Sequence, residues 1–285
     1  MKRLYLLAAA VLLASPAVSF AQNCTAITAV PTTITVPGKY CLAKDFTINS
    51  PTARAINIAT NDVTLDCDGR MLKNLSTSNA GSSVGIFAQD RNNITIKNCR
   101  IIGGFTDGIA VMQNNAVNNK NYYIQIQDNY IAGPYWRGIY ALGSAIEVTG
   151  NKVYDIGGQL NQYAIGIRVG GSTVSNAFKL HVVRNNTVIG TSSQYSGAYG
   201  IFSDGTVSGA FTDNGIAGTT PGIGKIGYGI YVAGQHNRIS DNHVTGIGAP
   251  AEYGVWTTND TTSCFDNYLR TTNWTLNCDA TLGNY

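Results

Sequence analysis

The stretch that decides the fold is Ile126-Gln127-Asp128-Asn129-Tyr130-Ile131, the unit apolar-x-x-Asn-x-apolar. It returns as Val148-Asn151-Val153, Val183-Asn186-Val188, Phe211-Asn214-Ile216 and Ile239-Asn242-Val244. Two copies vary it: Ile96-Cys99-Ile101 puts cysteine in the asparagine column, and Cys264-Asn267-Leu269 puts cysteine in the first apolar column. A glycine often follows, at Gly103, Gly133, Gly190, Gly218 and Gly246.

Between copies of this unit lies a second one, glycine followed by Ile or Val. It occurs at Gly85, Gly108, Gly138, Gly166, Gly200, Gly229 and Gly254, at intervals of 23 to 34 residues. Spacing within each unit is fixed and spacing between units varies, which is how fixed strands joined by variable loops behave. Apolar residues alternate with period two, as at Ile94/Ile96 and Ile124/Ile126, and helical spacing is not sustained. The pattern predicts an all-β solenoid: each repeat is one coil of short strands, and stacked coils share a core that no single repeat can close. In such a stack identical turn residues lie above one another. The asparagine column therefore reads as a structural amide ladder rather than a ligand array, with asparagine suited to the left-handed backbone of a tight turn.

Composition agrees. Charged residues make up 12% of the 285 residues, against roughly 25% in an average soluble domain. The net charge of +3 comes with no basic stripe, so nucleic acid is not an expected partner. Glycine is abundant at 32 residues and proline scarce at 7, which excludes a collagen or proline-rich linker.

Met1 to Ala21 reads as a secretory signal peptide: Lys2 and Arg3, an apolar run from Leu4 to Val18, and Ser19-Phe20-Ala21 at the cleavage positions. The mature chain is expected to start at Gln22, to be secreted or periplasmic, and to have no membrane association. In an oxidising compartment the six cysteines can pair, and their clustering suggests Cys24–Cys41, Cys67–Cys99 and Cys264–Cys278. The expected layout is a signal peptide at 1–21, an N-terminal cap at 22–53, a solenoid of about eight to ten coils at 54–270, and a C-terminal cap at 271–285.

The stretches Asn61-Asp62-Val63-Thr64-Leu65-Asp66-Cys67-Asp68-Gly69 and Asn92-Asn93-Ile94-Thr95-Ile96-Lys97-Asn98-Cys99-Arg100-Ile101, with the recurring Gly-Ile starts, resemble the right-handed parallel β-helix proteins of the pectate-lyase-like superfamily. The likeness runs from about Thr33 to Leu269. It implies a single-stranded right-handed parallel β-helix, and a superfamily of polysaccharide lyases, hydrolases, epimerases and copper-delivery proteins. Activity does not follow from fold. The hydrolase signatures Asn-Thr-Asp, Asp-Asp and Gly-His-Gly, the epimerase Tyr-Gly-Phe-Asp-Pro-His motif and the nonapeptide calcium repeat are all missing. No cofactor is implied, and calcium is left without a motif.

The strands themselves give the remaining expectations. The residue after each Gly-Ile should face outward, giving the column Phe87, Ala110, Tyr140, Arg168, Phe202, Tyr231, Trp256. Aromatic rings in a row on an outer face suit sugar rings, which stack their C–H faces on them; loops covering the face are the alternative. The column before each glycine, Val84, Asp107, Arg137, Ile165, Tyr199, Tyr228, Tyr253, flanks it if it too faces out. Polysaccharide is thus the expected partner, with Phe87, Phe202, Trp256, Asp107 and Tyr228 as contacts. Elimination on a uronic-acid polymer needs a cation for the carboxylate and a base, and Arg137, Arg168, Tyr140 and Tyr231 are the candidates. The rival readings are a non-catalytic carbohydrate-binding or envelope-surface module and a metal-handling accessory, the last requiring His236 and His243 to meet.

Overall fold

The computed structural model describes residues 24–78, 80–113, 123–158, 162–171, 180–248, 251–258, 261–271, 273–276 and 278. The proposed signal peptide lies outside these residues. The described elements are all strands, and every pairing between them is parallel. They form three sheets of ten, nine and ten strands that are visited in rotation. One turn shows the pattern: Ile94–Lys97 lies in sheet I, Arg100–Gly103 in sheet II and Asp107–Met112 in sheet III. The molecule is a right-handed parallel β-helix.

The registers explain the repeats. Ile96, Ile126, Val148 and Val183 pair in sheet I, Ile101, Ile131, Val153 and Val188 in sheet II, and Ile86, Ile109, Ile139, Ile167, Ile201, Ile230 and Val255 in sheet III. All are buried in one continuous cluster. Adjacent turns are about 4.8 Å apart, so each column places like against like.

At the corner between sheets I and II the asparagine column forms the expected ladder. The backbone N–H of Asn129 and its Nδ2 both donate to Asn151 Oδ1, each at 3.0 Å. Asn151 does the same to Asn186 at 3.0 Å, and the series runs on through Asn214, Asn242 and Asn267. Nδ2 also donates to a carbonyl of the preceding turn, as from Asn186 to Val148 at 2.9 Å. The left-handed residue is not the ladder asparagine but the one before it: Asp128, Asn185, Asp213, Asp241 and Asp266 have φ of 53–61°. That twist turns the asparagine inward, where its amide is buried.

The glycine column of sheet III has a different cause. A Cβ on Gly108 would lie 2.6 Å from the Gly138 carbonyl oxygen and 2.7 Å from Ile131, and Gly138, Gly166, Gly200 and Gly229 meet the carbonyl of the next turn in the same way. The close approach breaks strict alternation, so the residues on either side of each Gly-Ile pair both face outward.

All three cysteine pairs form as expected. Described strands also occur in the segments read as caps. Thr25–Ile27 and Gly38–Leu42 are already strands of sheet I, Thr32–Ile34 of sheet III and Phe46–Ile48 of sheet II, so the segment read as a cap is the first turns of the solenoid. At the other end Asn273–Leu276 pairs as the last strand of sheet III. These strands are short and lack the Gly-Ile unit, so the repeats do not mark them in the sequence.

Candidate functional site

The outer face of sheet III divides into two halves. The N-terminal half is built on charge pairs over rings. Arg137 donates Nε to Asp107 Oδ1 at 2.7 Å and Nη2 to Oδ2 at 2.8 Å, a bidentate pair with each residue 5% exposed. Its guanidinium is clamped between the rings of Trp136, at 3.7 Å, and Tyr140, at 3.6 Å. Burial pushes the Asp107 carboxyl above its ordinary range, and the Arg137 fork pulls against it. Arg168 pairs with Asp204 and lies 5.0 Å from the Tyr140 ring and 5.3 Å from Phe202. Phe87 is only 4% exposed and lies beneath the Arg54 guanidinium at 3.6 Å.

The C-terminal half is aromatic. Tyr199, Tyr228 and Tyr253 stack in one column, with centroids 5.0 and 5.4 Å apart and planes within 18°. Phe202 and Tyr231 stack in the next column at 5.0 Å and 8°. The columns interlock edge to face through Tyr199–Phe202 at 4.9 Å, Tyr228–Tyr231 at 5.2 Å and Tyr253–Trp256 at 4.6 Å. Burial raises the phenol pKa of Tyr199, Tyr228 and Tyr231 above the ordinary 10.0, and neighbouring phenols add to the shift at Tyr199 and Tyr228.

The sequence-derived candidates therefore separate into two groups. Arg137, Tyr140, Arg168 and Asp107 come together, as do Phe202, Tyr228, Tyr231 and Trp256; Arg168 joins the two by reaching the Phe202 ring, and Phe87 sits with Val84 and Ala110 in a small cluster that Tyr140 packs against. Two expectations change with the geometry. The rings stack along the helix axis, so Tyr228 has both faces taken by Tyr199 and Tyr253, and Phe202 and Tyr231 each have one face taken by the other. Flat stacking of sugars along the whole row is not available. The lyase set is also divided: Tyr231 is on the aromatic half, and both arginines already hold carboxylates. Freeing Arg137 would leave a buried carboxylate unpaired, at about 3–5 kcal/mol.

Beside the aromatic column is a pocket of about 250 Å³ lined by Tyr163, Ser196, Gly197, Tyr199, Gly224, Lys225, Ile226 and Tyr228. Tyr163 is 49% exposed and meets Tyr199 edge to face at 5.5 Å. Its ring rests over Gly197, where a Cβ would come within 3.2 Å of it. Sequence reading missed Tyr163 and Lys225 because both precede their strands and occupy no repeat position. The histidines do not form a site of this kind: His236 sits in a left-handed turn, and His243 stacks on Tyr268 in sheet II at 4.6 Å. Among the described residues no group of three His, Cys, Asp or Glu side chains is arranged to hold a metal.

The sequence model of the family described as right handed beta helix region matches residues 22–178, more than half of the chain. No curated protein matches. Among solved structures, the chain is similar to the catalytic domain of a GH87 α-1,3-glucanase in complex with tetrasaccharides, at a TM-score of 0.36 and 10% identity. That alignment covers 82% of this chain and 52% of the other, so this chain spans about half its length.

Proposed function

The chain belongs to the right-handed β-helix family, and from that premise we propose that it is a secreted, non-catalytic polysaccharide-binding module. The interlocked aromatic columns with the adjoining pocket carry this reading. They form a rigid ridge of amphipathic side chains that costs little entropy to present, with phenol hydroxyls set along its edge. Secretion is supported by the three disulfides, which belong to an oxidising compartment. The binding reading is favoured over cleavage because Arg137 and Tyr140 meet in a buried clamp rather than in an open groove.

The test is a panel of acidic and neutral polysaccharides, with binding measured by calorimetry and products followed both as reducing ends and as absorbance of unsaturated sugars. Binding without product is expected, weakened about tenfold or more when Tyr253 and Trp256 are both changed to alanine. No binding across the panel, or binding indifferent to that double change, overturns the module. New absorbance that disappears in an Arg168→Met variant overturns the non-catalytic part and restores the lyase.

A further inference from the structure

Resting on the carbohydrate reading, we propose that the ligand is an uncharged polysaccharide lying parallel to the helix axis, with one sugar seated in the pocket beside Tyr163. Three observations lead there.

The first is charge. On the outer face of sheet III the arginines nearest the aromatic columns are already neutralised, Arg137 by Asp107 and Arg168 by Asp204. Among the described residues, a polyuronate would find beside the aromatic columns no open row of cations, with Lys225 at the pocket rim and Arg54 several turns away over Phe87. The tyrosine hydroxyls are neutral at ordinary pH, and burial of Tyr199, Tyr228 and Tyr231 only strengthens that, so they offer neutral donors and acceptors. Such groups match sugar hydroxyls rather than carboxylates.

The second is hydrogen-bonding capacity. Among the described residues, the tyrosine hydroxyls that bond within the chain are those of Tyr40, Tyr123 and Tyr135. The hydroxyls of Tyr199, Tyr228 and Tyr253 are left for a ligand, at the turn spacing of about 4.8 Å.

The third is direction. The pocket draws its lining from three successive turns: Tyr163 from one, Ser196, Gly197 and Tyr199 from the next, and Gly224 to Tyr228 from the third. It therefore spans three turns along the axis, beside the tyrosine column. A linear polymer laid there meets the same phenol once per turn, whereas one laid across the strands meets the tyrosine column only once.

The experiment titrates the protein with neutral β-glucan, xylan and mannan and with polygalacturonate and alginate, each at low and high salt. It then compares oligosaccharides from di- to hexasaccharide of whichever neutral polymer binds. Neutral polymer should bind with an affinity unchanged by salt, since no counterions are displaced. Affinity should grow with each added sugar to about the tetrasaccharide, one ring per turn. Tyr163→Ala, at an exposed position, should weaken binding about tenfold. Salt-sensitive binding of the polyuronates that is lost in Lys225→Ala overturns the charge class while the carbohydrate reading stands. Affinity that stops growing at the disaccharide overturns the axial placement. Failure of every polysaccharide to bind overturns the carbohydrate reading itself.

Discussion

The molecule carries two ladders cut from the same register, one of asparagine at the corner of sheets I and II and one of aromatic rings on the face of sheet III. Both exist because the solenoid puts each side chain over its counterpart in the next turn. They differ in what they leave over. Asn186 has its backbone N–H, its Nδ2 and its Oδ1 all engaged by Asn151, Asn214, Arg184 and Val148. Nothing remains for a ligand, so the column contributes stability alone. Tyr228 is held on both faces by Tyr199 and Tyr253 and is 8% exposed, yet its hydroxyl is unengaged by described groups. A ladder can be mechanically saturated and chemically open at once.

The sharpest way to separate the two is Asn186→Leu. It takes the acceptor from the Asn151 backbone N–H and a donor from the Val148 carbonyl, at roughly 1–3 kcal/mol for each buried group left unpaired, so a loss of about 4 kcal/mol is expected in urea unfolding. Sugar binding by whatever folds should be unchanged. A variant within 1 kcal/mol of the parent would show that the amides do not hold the turns together. Next comes Tyr228→Ala, which removes two stacking partners and should cost about 3 kcal/mol and most of the binding. Tyr228→Phe keeps the stack and removes only the hydroxyl. It should alter stability by less than about 0.5 kcal/mol while lowering affinity several-fold. If the Phe variant binds as well as the parent, the outer ladder is as closed as the inner one.

The smallest effect is in alkali. The phenols of Tyr199, Tyr228 and Tyr231 have folded pKa values above the ordinary 10.0. The folded state thus holds more protons than the unfolded chain above about pH 10, and stability must fall as pH rises through that range. A titration followed by phenolate absorbance should show these tyrosines ionising above pH 10, in step with unfolding. Ionisation of all of them near pH 10 with the fold intact would show the outer stack to be loose.

Much of the architecture was legible because register converts sequence periodicity directly into columns. The asparagines, the Gly-Ile starts and the cysteine pairs each marked a position that must repeat or close. The site was less legible for the same reason. Period tells which face a ring occupies but not how it leans, and Tyr199, Tyr228 and Tyr253 lean onto one another. Nor does it show that Arg137 is spent on Asp107, since that contact joins adjacent turns through side-chain conformation. Tyr163 and Lys225 belong to connections whose lengths vary, where no column constrains them.

The disulfides have a consequence for how the chain comes apart. A stack in which each turn touches only its neighbours behaves as a one-dimensional lattice, so an interior turn is held from two sides and a terminal turn from one. Two of the bridges are at the ends: Cys24–Cys41 ties the first strand of sheet I to the second, and Cys264–Cys278 secures the last turn. The third, Cys67–Cys99, lies where the amide column begins, Cys99 taking the position of an asparagine and donating its N–H to Asn129. Two of the three covalent links thus stand where neighbours are lacking. Melting is expected to enter from the ends, and in a reduced chain hydrogen exchange would advance as two fronts toward the turn of Asn151 and Asn186.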